Sequence, residues 1–157
     1  TAASLSICLT SRRRRSGRVS RALRAMVAAG NGGRIINISS TAGRMGVPQY
    51  GAYCATKFGV IGLTQMLALE TAPFGITVNC VAPGSVDTDM MDGTFQHMAS
   101  RFKAESSAIK QAVVRSIQLG RQGRPADIAA AIAFFASDDA GWITGQTLNV
   151  NGGTPMD

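Results

Sequence analysis

The sequence predicts an α/β fold built on a parallel sheet, from three observations. Short β-branched runs that read as buried strands, RIINIS at 34–39, ITVNCVA at 76–82 and a last strand at 146–150, are separated by helical stretches. Each of the first two runs ends in a small-residue or Pro-Gly break, where loops leave the carboxyl end of a strand. The intervening segments carry apolar residues at helical rather than alternating spacing, so the strands are joined by crossovers, not hairpins.

Taken in order, Val19, Leu23, Met26 and Val27 recur at helical spacing, and Gly30, Gly32 and Gly33 close that helix. Residues 40–49 form a loop with Gly43, Gly46 and Pro48. Tyr50 to about Ala72 reads as a long helix. Gly59 and Gly62 inside it cost roughly 1 kcal/mol each against Ala, which suggests that another backbone packs closely there. Pro73 and Gly75 break the helix before the second strand. Residues 94–118 show scattered helical patterning and read as a mobile insert. Pro125 opens a helix with Ile128, Ile132 and Phe135 on one face, and 141–145 is a turn. Right-handed crossovers place the long helix and the last helix on opposite sides or ends of the sheet.

The length of 157 residues suits one domain, and 45% hydrophobic content suits a globular core. No run of apolar residues in the sequence approaches a bilayer span. Cys8, Cys54 and Cys80 have no C-x-x-C spacing, which fits reduced thiols in the cytoplasm and argues against a zinc site. The single His97 offers no metal cluster and only one base for a Ser-His-Asp triad.

Charge is uneven. Residues 1–69 hold ten basic and no acidic residues, whereas 70–157 hold six basic against nine acidic. The basic excess centres on residues 12–15 with Arg18, Arg21 and Arg24. Such a run can mark nucleic-acid or membrane binding, and deletion of 1–16 would test it. The first aromatic is Tyr50, so this segment offers no platform for base stacking, and the expectation is neither a nucleic-acid nor a membrane partner. Residues 1–16 read poorly as structure and are expected to lie outside the domain at 17–157 as a disordered segment. Their Arg- and Ser-rich, acid-free composition is that of a transit peptide, but a fragment or an aberrant reading-frame start is preferred.

Three groups of residues could carry chemistry. Tyr53-x-x-x-Lys57 puts a phenol and an ammonium on one helix face. A neighbouring ammonium favours phenolate over phenol, making the tyrosine a usable acid or base; the bland alternative is a surface pair. Ser39-Ser40 stands at the carboxyl end of the first strand, where open α/β sheets bind ligands, although a serine there more often satisfies loop backbone. Pro83-Gly84-Ser85-Val86-Asp87-Thr88 follows the second strand; Gly84 permits close backbone approach and Thr88 offers a hydroxyl, with a plain turn as the alternative. All three groups fall at one edge of one sheet.

GRIINISS, Ser40 thirteen residues before Tyr53-x-x-x-Lys57, then NCVAPGSVDT and the closing GRPADIAAAIAFFASDDAGWITGQTLNVNGG resemble the short-chain dehydrogenase/reductase family over about residues 17–153. The resemblance implies a partial Rossmann-like, doubly wound sheet comprising the last three strands with flanking helices. It implies Tyr53 as general acid/base, Lys57 as its partner and a ribose ligand, and Ser40 as the group that polarises the substrate oxygen. Tyr53, Lys57, Pro83, Gly84, Val86 and Thr88 would line NAD or NADP, and 89–118 would be a substrate lid. The reaction implied is oxidoreduction between a secondary alcohol and a ketone, of polyol, diol, sugar-alcohol or 3-oxoacyl type, with the first three fitting the Met-rich insert somewhat better. The helices at 17–30 and 50–72 resemble those that form the family's dimer interface, implying a homodimer or homotetramer.

The family's glycine-rich turn, its cofactor-selecting residue and its Asn-Ala-Gly stretch have no counterpart, and its catalytic Asn would fall where residues 12–15 stand. The expectation is therefore an N-terminally incomplete chain, inactive by itself, with the strand at 34–39 left as an exposed edge. A non-catalytic remnant serving as a dimerisation module is the alternative.

Overall fold

In the computed structural model, which describes residues 6–9 and 15–154, four parallel strands stand in the order β1-β2-β3-β4. These are β1 (Ser6–Leu9), β2 (Gly33–Ile38), β3 (Ile76–Pro83) and β4 (Thr147–Val150). The helices are α1 (Arg15–Ala29), α2 (Gly51–Thr71), α3 (Asp89–Phe102), α4 (Ser106–Ser116) and α5 (Pro125–Ala136).

The three expected strands and their parallel pairing are present, and so is one more. Ser6–Leu9 pairs with β2 in the register Ser6 to Arg34 through Leu9 to Asn37. This amends the expectation that residues 1–16 lie wholly outside the fold and that β2 is an open edge. The physical reason is the edge itself: the unpaired N–H and C=O groups of a buried strand template whatever extended segment precedes it. Residues 12–14 of the arginine run lie outside the described residues.

Alternation along the strands separates two cores. Ile35, Ile76 and Val78 face one side, where Met26 of α1 and Leu67 and Ala68 of α2 cover them. Ile36 and Val81 face the other, where Phe135 of α5 and Ala140 cover them. The long helix and the last helix thus lie on opposite faces, as the handedness of crossovers requires. β3, paired on both sides, is buried over seven of its eight residues, which is why its sequence is almost continuously apolar.

Three local readings change. The helical patterning read over 94–118 extends back to Asp89, where the resemblance starts the insert, and forms two helices; Thr88 caps the first by accepting a bond from Met91 N at 3.4 Å. Gly59 and Gly62 would meet nothing within 4 Å if they carried a Cβ, so no backbone among the described residues packs on them. Finally, Gly51–Phe74 is long and apolar enough, by length and composition, to cross a membrane, contrary to the reading that no apolar run approaches that length. Its packing here is against the sheet: Thr64, Leu67 and Thr71 are buried beneath it, and Asn37 Nδ2 donates to Thr64 Oγ1 at 2.9 Å.

The start of α5 supplies a pH prediction. Arg121 donates to Asp127 at 2.7 Å and the Arg124 N–H donates to the same carboxylate at 2.7 Å. The Arg121 guanidinium first, then the Arg124 amide, hold Asp127 down to about 2 from the ordinary 3.8. A carboxylate with a depressed folded-state pKa stabilises fully above its unfolded value and loses that contribution as pH falls through the folded one. The cap is therefore intact above about pH 3.8 and lost through about pH 2. Carbon-detected NMR titration of the Asp127 carboxyl is expected to show a midpoint near 2 in the wild type and a higher one in Arg121→Gln, which removes the guanidinium and keeps the Arg124 amide contact.

Candidate active site

The carboxyl ends of β2 and β3 lie side by side, joined beyond the strands by the Ser39 N–H donating to Val81 O at 2.8 Å. Ser39 and Ser40 leave β2 here and residues 83–88 leave β3. α2 is fastened to the same edge by a reciprocal link. Lys57 Nζ donates to Ile38 O at 3.2 Å and to Ser39 O at 2.9 Å, and Ser39 Oγ donates back to Lys57 O at 2.8 Å. Lys57 is only 5% exposed, so its charge is accommodated by carbonyl dipoles aimed at it rather than by bulk water.

Tyr53 stands one helical turn earlier and is 44% exposed. The Lys57 ammonium lies 5.6 Å from its ring centroid. Tyr50, three residues back, meets the Tyr53 ring edge-on at a centroid distance of 6.4 Å. Tyr50 escaped the sequence reading, although its i, i+3 spacing to Tyr53 is a signal that could have found it.

Ser40 does what the bland reading foresaw and keeps a capacity beyond it. Its extended backbone starts a short 3₁₀ turn, Thr41–Gly43, and its Oγ accepts from Ala42 N at 3.2 Å. A hydroxyl that accepts one bond still has its own proton to donate. Gly43 closes the turn against α2: a Cβ there would sit 2.8 Å from Lys57 O and would also strike Ser39 Oγ. Neither Ser39 as the anchor nor Gly43 as the close approach was singled out for these roles from the sequence.

The 83–88 segment is held rigidly. Gly84 N donates to Val150 O at 3.1 Å, and a Cβ on Gly84 would lie 2.9 Å from Asn151 Cα. The close approach that Gly84 permits is thus to the chain's own backbone. Gly123 N donates to Ser85 O at 3.0 Å and Asp87 N to Gly123 O at 2.8 Å, an isolated parallel bridge that pins Val86. Thr88 Oγ1, besides capping α3, lies 3.4 Å from Val86 O. Lys110 of α4 reaches back to Asp87 at 3.1 Å and Asp92 at 3.4 Å, tying the two insert helices to this loop.

The structure therefore brings Tyr53 and Lys57 together and sets Ser40 and residues 83–88 along one sheet edge. Cys80 beneath them is no nucleophile, because burial pushes its thiol above the ordinary 9.0. A donor set of hydroxyls and one ammonium along an edge of rigid backbone fits the ribose and carboxamide end of a nicotinamide dinucleotide. No glycine-rich phosphate turn of the G-x-G-x-x-G kind stands in this sequence, so the residues present fit that end of the group alone.

Fold and site together define an α/β protein with a tyrosine–lysine pair at the carboxyl edge of a parallel sheet. A family model described as Enoyl-(Acyl carrier protein) reductase matches residues 16–155. The chain is 48% identical over 124 residues to the 3-oxoacyl-[acyl-carrier-protein] reductase FabG of Rickettsia felis, covering 79% of this chain and 47% of the relative. It is 43% identical over 133 residues to a sorbitol dehydrogenase of Cereibacter sphaeroides, covering 85% and 52%. Among solved structures, an actinorhodin polyketide ketoreductase with NADPH superposes with a TM-score of 0.81 at 36% identity, covering 86% of this chain and 52% of that one. The chain belongs to the short-chain dehydrogenase/reductase family, and it spans about half the length of the curated relatives it matches.

Proposed function

We propose that the protein is an NAD(P)-dependent oxidoreductase that interconverts a secondary alcohol and a ketone, of the polyol, diol, sugar-alcohol or 3-oxoacyl type. The observation that carries this is the link between Lys57 and Ser39, which holds an ammonium beside Tyr53 at the ligand edge of the sheet. The relatives named as reductases and dehydrogenases support it.

NADH or NADPH, when bound, supplies the hydride. Tyr53 gives its phenolic proton to the carbonyl oxygen in reduction and takes it back in oxidation. Ser40 donates a hydrogen bond to the same oxygen, stabilising negative charge as it develops there. Lys57 keeps positive charge next to the tyrosine and presents an N–H to the ribose. The backbone of Val86 and the hydroxyl of Thr88 orient the carboxamide, with Pro83 and Gly84 shaping the loop that carries them. Buried free thiols at Cys54 and Cys80 support a reducing, cytoplasmic setting.

The test is cofactor binding and turnover by the full-length protein with a panel of ketones, since the 157 residues here fit only the nicotinamide end of the cofactor and are expected to be inactive by themselves. Micromolar binding of NADH or NADPH with consumption of the cofactor is the expected result. No binding of either at millimolar concentration would sink the reading and favour a non-catalytic dimerisation module.

The same proposal includes self-association through α1 and α2. The outer face of α2 exposes Phe58, Leu63, Met66 and Leu69, the last at 80%, around Gly59 and Gly62, which leave room for a second backbone. A second copy of the chain is the occupant that suits a long apolar helix bearing small residues. Leu69→Lys is expected to raise the dimer dissociation constant about ten- to a hundredfold, from the loss of one buried leucine. Sedimentation equilibrium measures this; an unchanged assembly in Leu69→Lys would place the interface elsewhere.

A further inference from the structure

We propose that the cavity lined by Tyr50, the ring neighbour of Tyr53, selects substrates bearing an anionic oxygen group, carboxylate or phosphate, and that Arg101 is the residue that selects them. The inference rests on the oxidoreductase reading for where the reacting carbon lies, and goes beyond it in naming the substrate class.

The cavity encloses about 340 Å³ between residues 47–50 on one wall and His97, Met98, Arg101 and Phe102 of α3 on the other. That volume falls at the low end of the roughly 300–1,000 Å³ range in which proteins hold small molecules. Tyr50 belongs to the first wall and meets the Tyr53 ring edge-on at a centroid distance of 6.4 Å, so one aromatic ring links the cavity lining to the proposed acid/base. On the same wall Gln49 holds a φ of +71°, a left-handed conformation costly for a residue with a Cβ and found most often where a site is being shaped.

The second wall brings two nitrogen-bearing side chains, His97 and Arg101, to an otherwise mainly apolar space. Arg101 lies in the last turn of α3, where a cation complements the helix dipole, and that alone would account for an exposed arginine. It does not account for the absence of a carboxylate partner among the described residues. The ion pairs of this region join Lys110 to Asp87 and Asp92, leaving no described acidic side chain on Arg101. A guanidinium with its planar fork uncommitted at a cavity rim recognises carboxylate or phosphate in two-point fashion. Met98, Phe102 and Val47 would receive the carbon chain between that anion and the oxo group. A polyol, which offers only hydroxyls, leaves both the guanidinium and the apolar wall unused.

The test compares matched probes with the full-length protein: acetoacetate against its uncharged methyl ester, and dihydroxyacetone phosphate against dihydroxyacetone. Saturation-transfer NMR without cofactor reads binding, and steady-state kinetics with NADPH or NADH reads turnover. The expected result is preferential binding of one or both anions, weakened about ten- to a hundredfold in Arg101→Gln and partly restored in Arg101→Lys. In turnover the same loss appears in KM, with kcat within about twofold. The two pairs separate carboxylate from phosphate. Anions that bind no better than their uncharged partners, or binding indifferent to Arg101→Gln, overturn the proposal. If the anions bind through Arg101 yet are never reduced, the anion pocket stands and the oxidoreductase reading falls. If charged and uncharged ketones are reduced alike, the oxidoreductase reading stands and the anion pocket falls.

Discussion

Tyr53→Phe is expected to lower kcat for ketone reduction about 10²- to 10⁴-fold while leaving cofactor affinity within a fewfold of the wild type. The substitution removes one oxygen from a side chain that is 44% exposed, so nothing in the core depends on it. The ring, its edge-on contact with Tyr50 and its position 5.6 Å from the Lys57 ammonium all survive. A loss of rate therefore reports the missing proton donor rather than a missing fold. Single-turnover kinetics checks this, because it isolates the chemical step from product release. A Tyr53→Phe protein that reduces ketones at the wild-type rate would remove Tyr53 from the chemistry, and with it the reason for placing Lys57 beside it.

Gly43→Ala is expected to do the opposite: to damage the site through its frame. The added methyl would lie 2.8 Å from Lys57 O and 2.9 Å from Lys57 C, which are backbone atoms of a helix packed on the sheet, and would collide with Ser39 Oγ. No rotamer can relieve a backbone clash, so the 3₁₀ turn or α2 must move. Overpacking of this kind costs about 1–3 kcal/mol. Displacement of Ser39 Oγ from Lys57 O adds the loss of a buried hydrogen bond, about 1 kcal/mol. Urea unfolding should show a midpoint shift of that size, with turnover reduced because Lys57 and Ser40 are moved relative to one another. Gly46→Ala, three residues on, has nothing within 4 Å and serves as the control that leaves both stability and turnover nearly unchanged.

These two positions show how differently the sequence exposes a site and its support. Tyr53 and Lys57 were legible because an acid/base pair has a fixed helical spacing and sits after a strand whose apolar run is unmistakable. β2, β3, α2 and α5 were legible for the same reason: each carries its own periodicity. Ser39 was visible only as one of two serines; that it anchors α2 while Ser40 caps the next turn depends on which way the strand's alternation points each side chain. Gly43 and Gly84 are required by contacts with residues far along the chain, Lys57 and Asn151, which no local pattern reveals. β1 was missed because four residues, Ser-Ile-Cys-Leu, are too short to show a period, and its strand character comes from the edge it joins. The periodicity over 94–118 does not reach back to Asp89, because Thr88 read as a ligand hydroxyl hides Thr88 as a helix cap, and the structure shows the second use.

The same reasoning explains Gly59 and Gly62. Glycines inside a helix imply a close neighbour, and none of the described residues supplies one. The second copy proposed above would supply it, with α2 exposing Phe58, Leu63, Met66 and Leu69 for that purpose.

The most direct measurement is a crystal structure of the full-length protein with its nicotinamide cofactor and an unreactive analogue of the oxo substrate. The account requires the analogue's oxygen to lie within hydrogen-bond reach, about 2.6–3.2 Å, of both Tyr53 Oη and Ser40 Oγ, with the ribose against Lys57. An analogue and cofactor bound elsewhere, leaving those three side chains in solvent or against other protein groups, would contradict it.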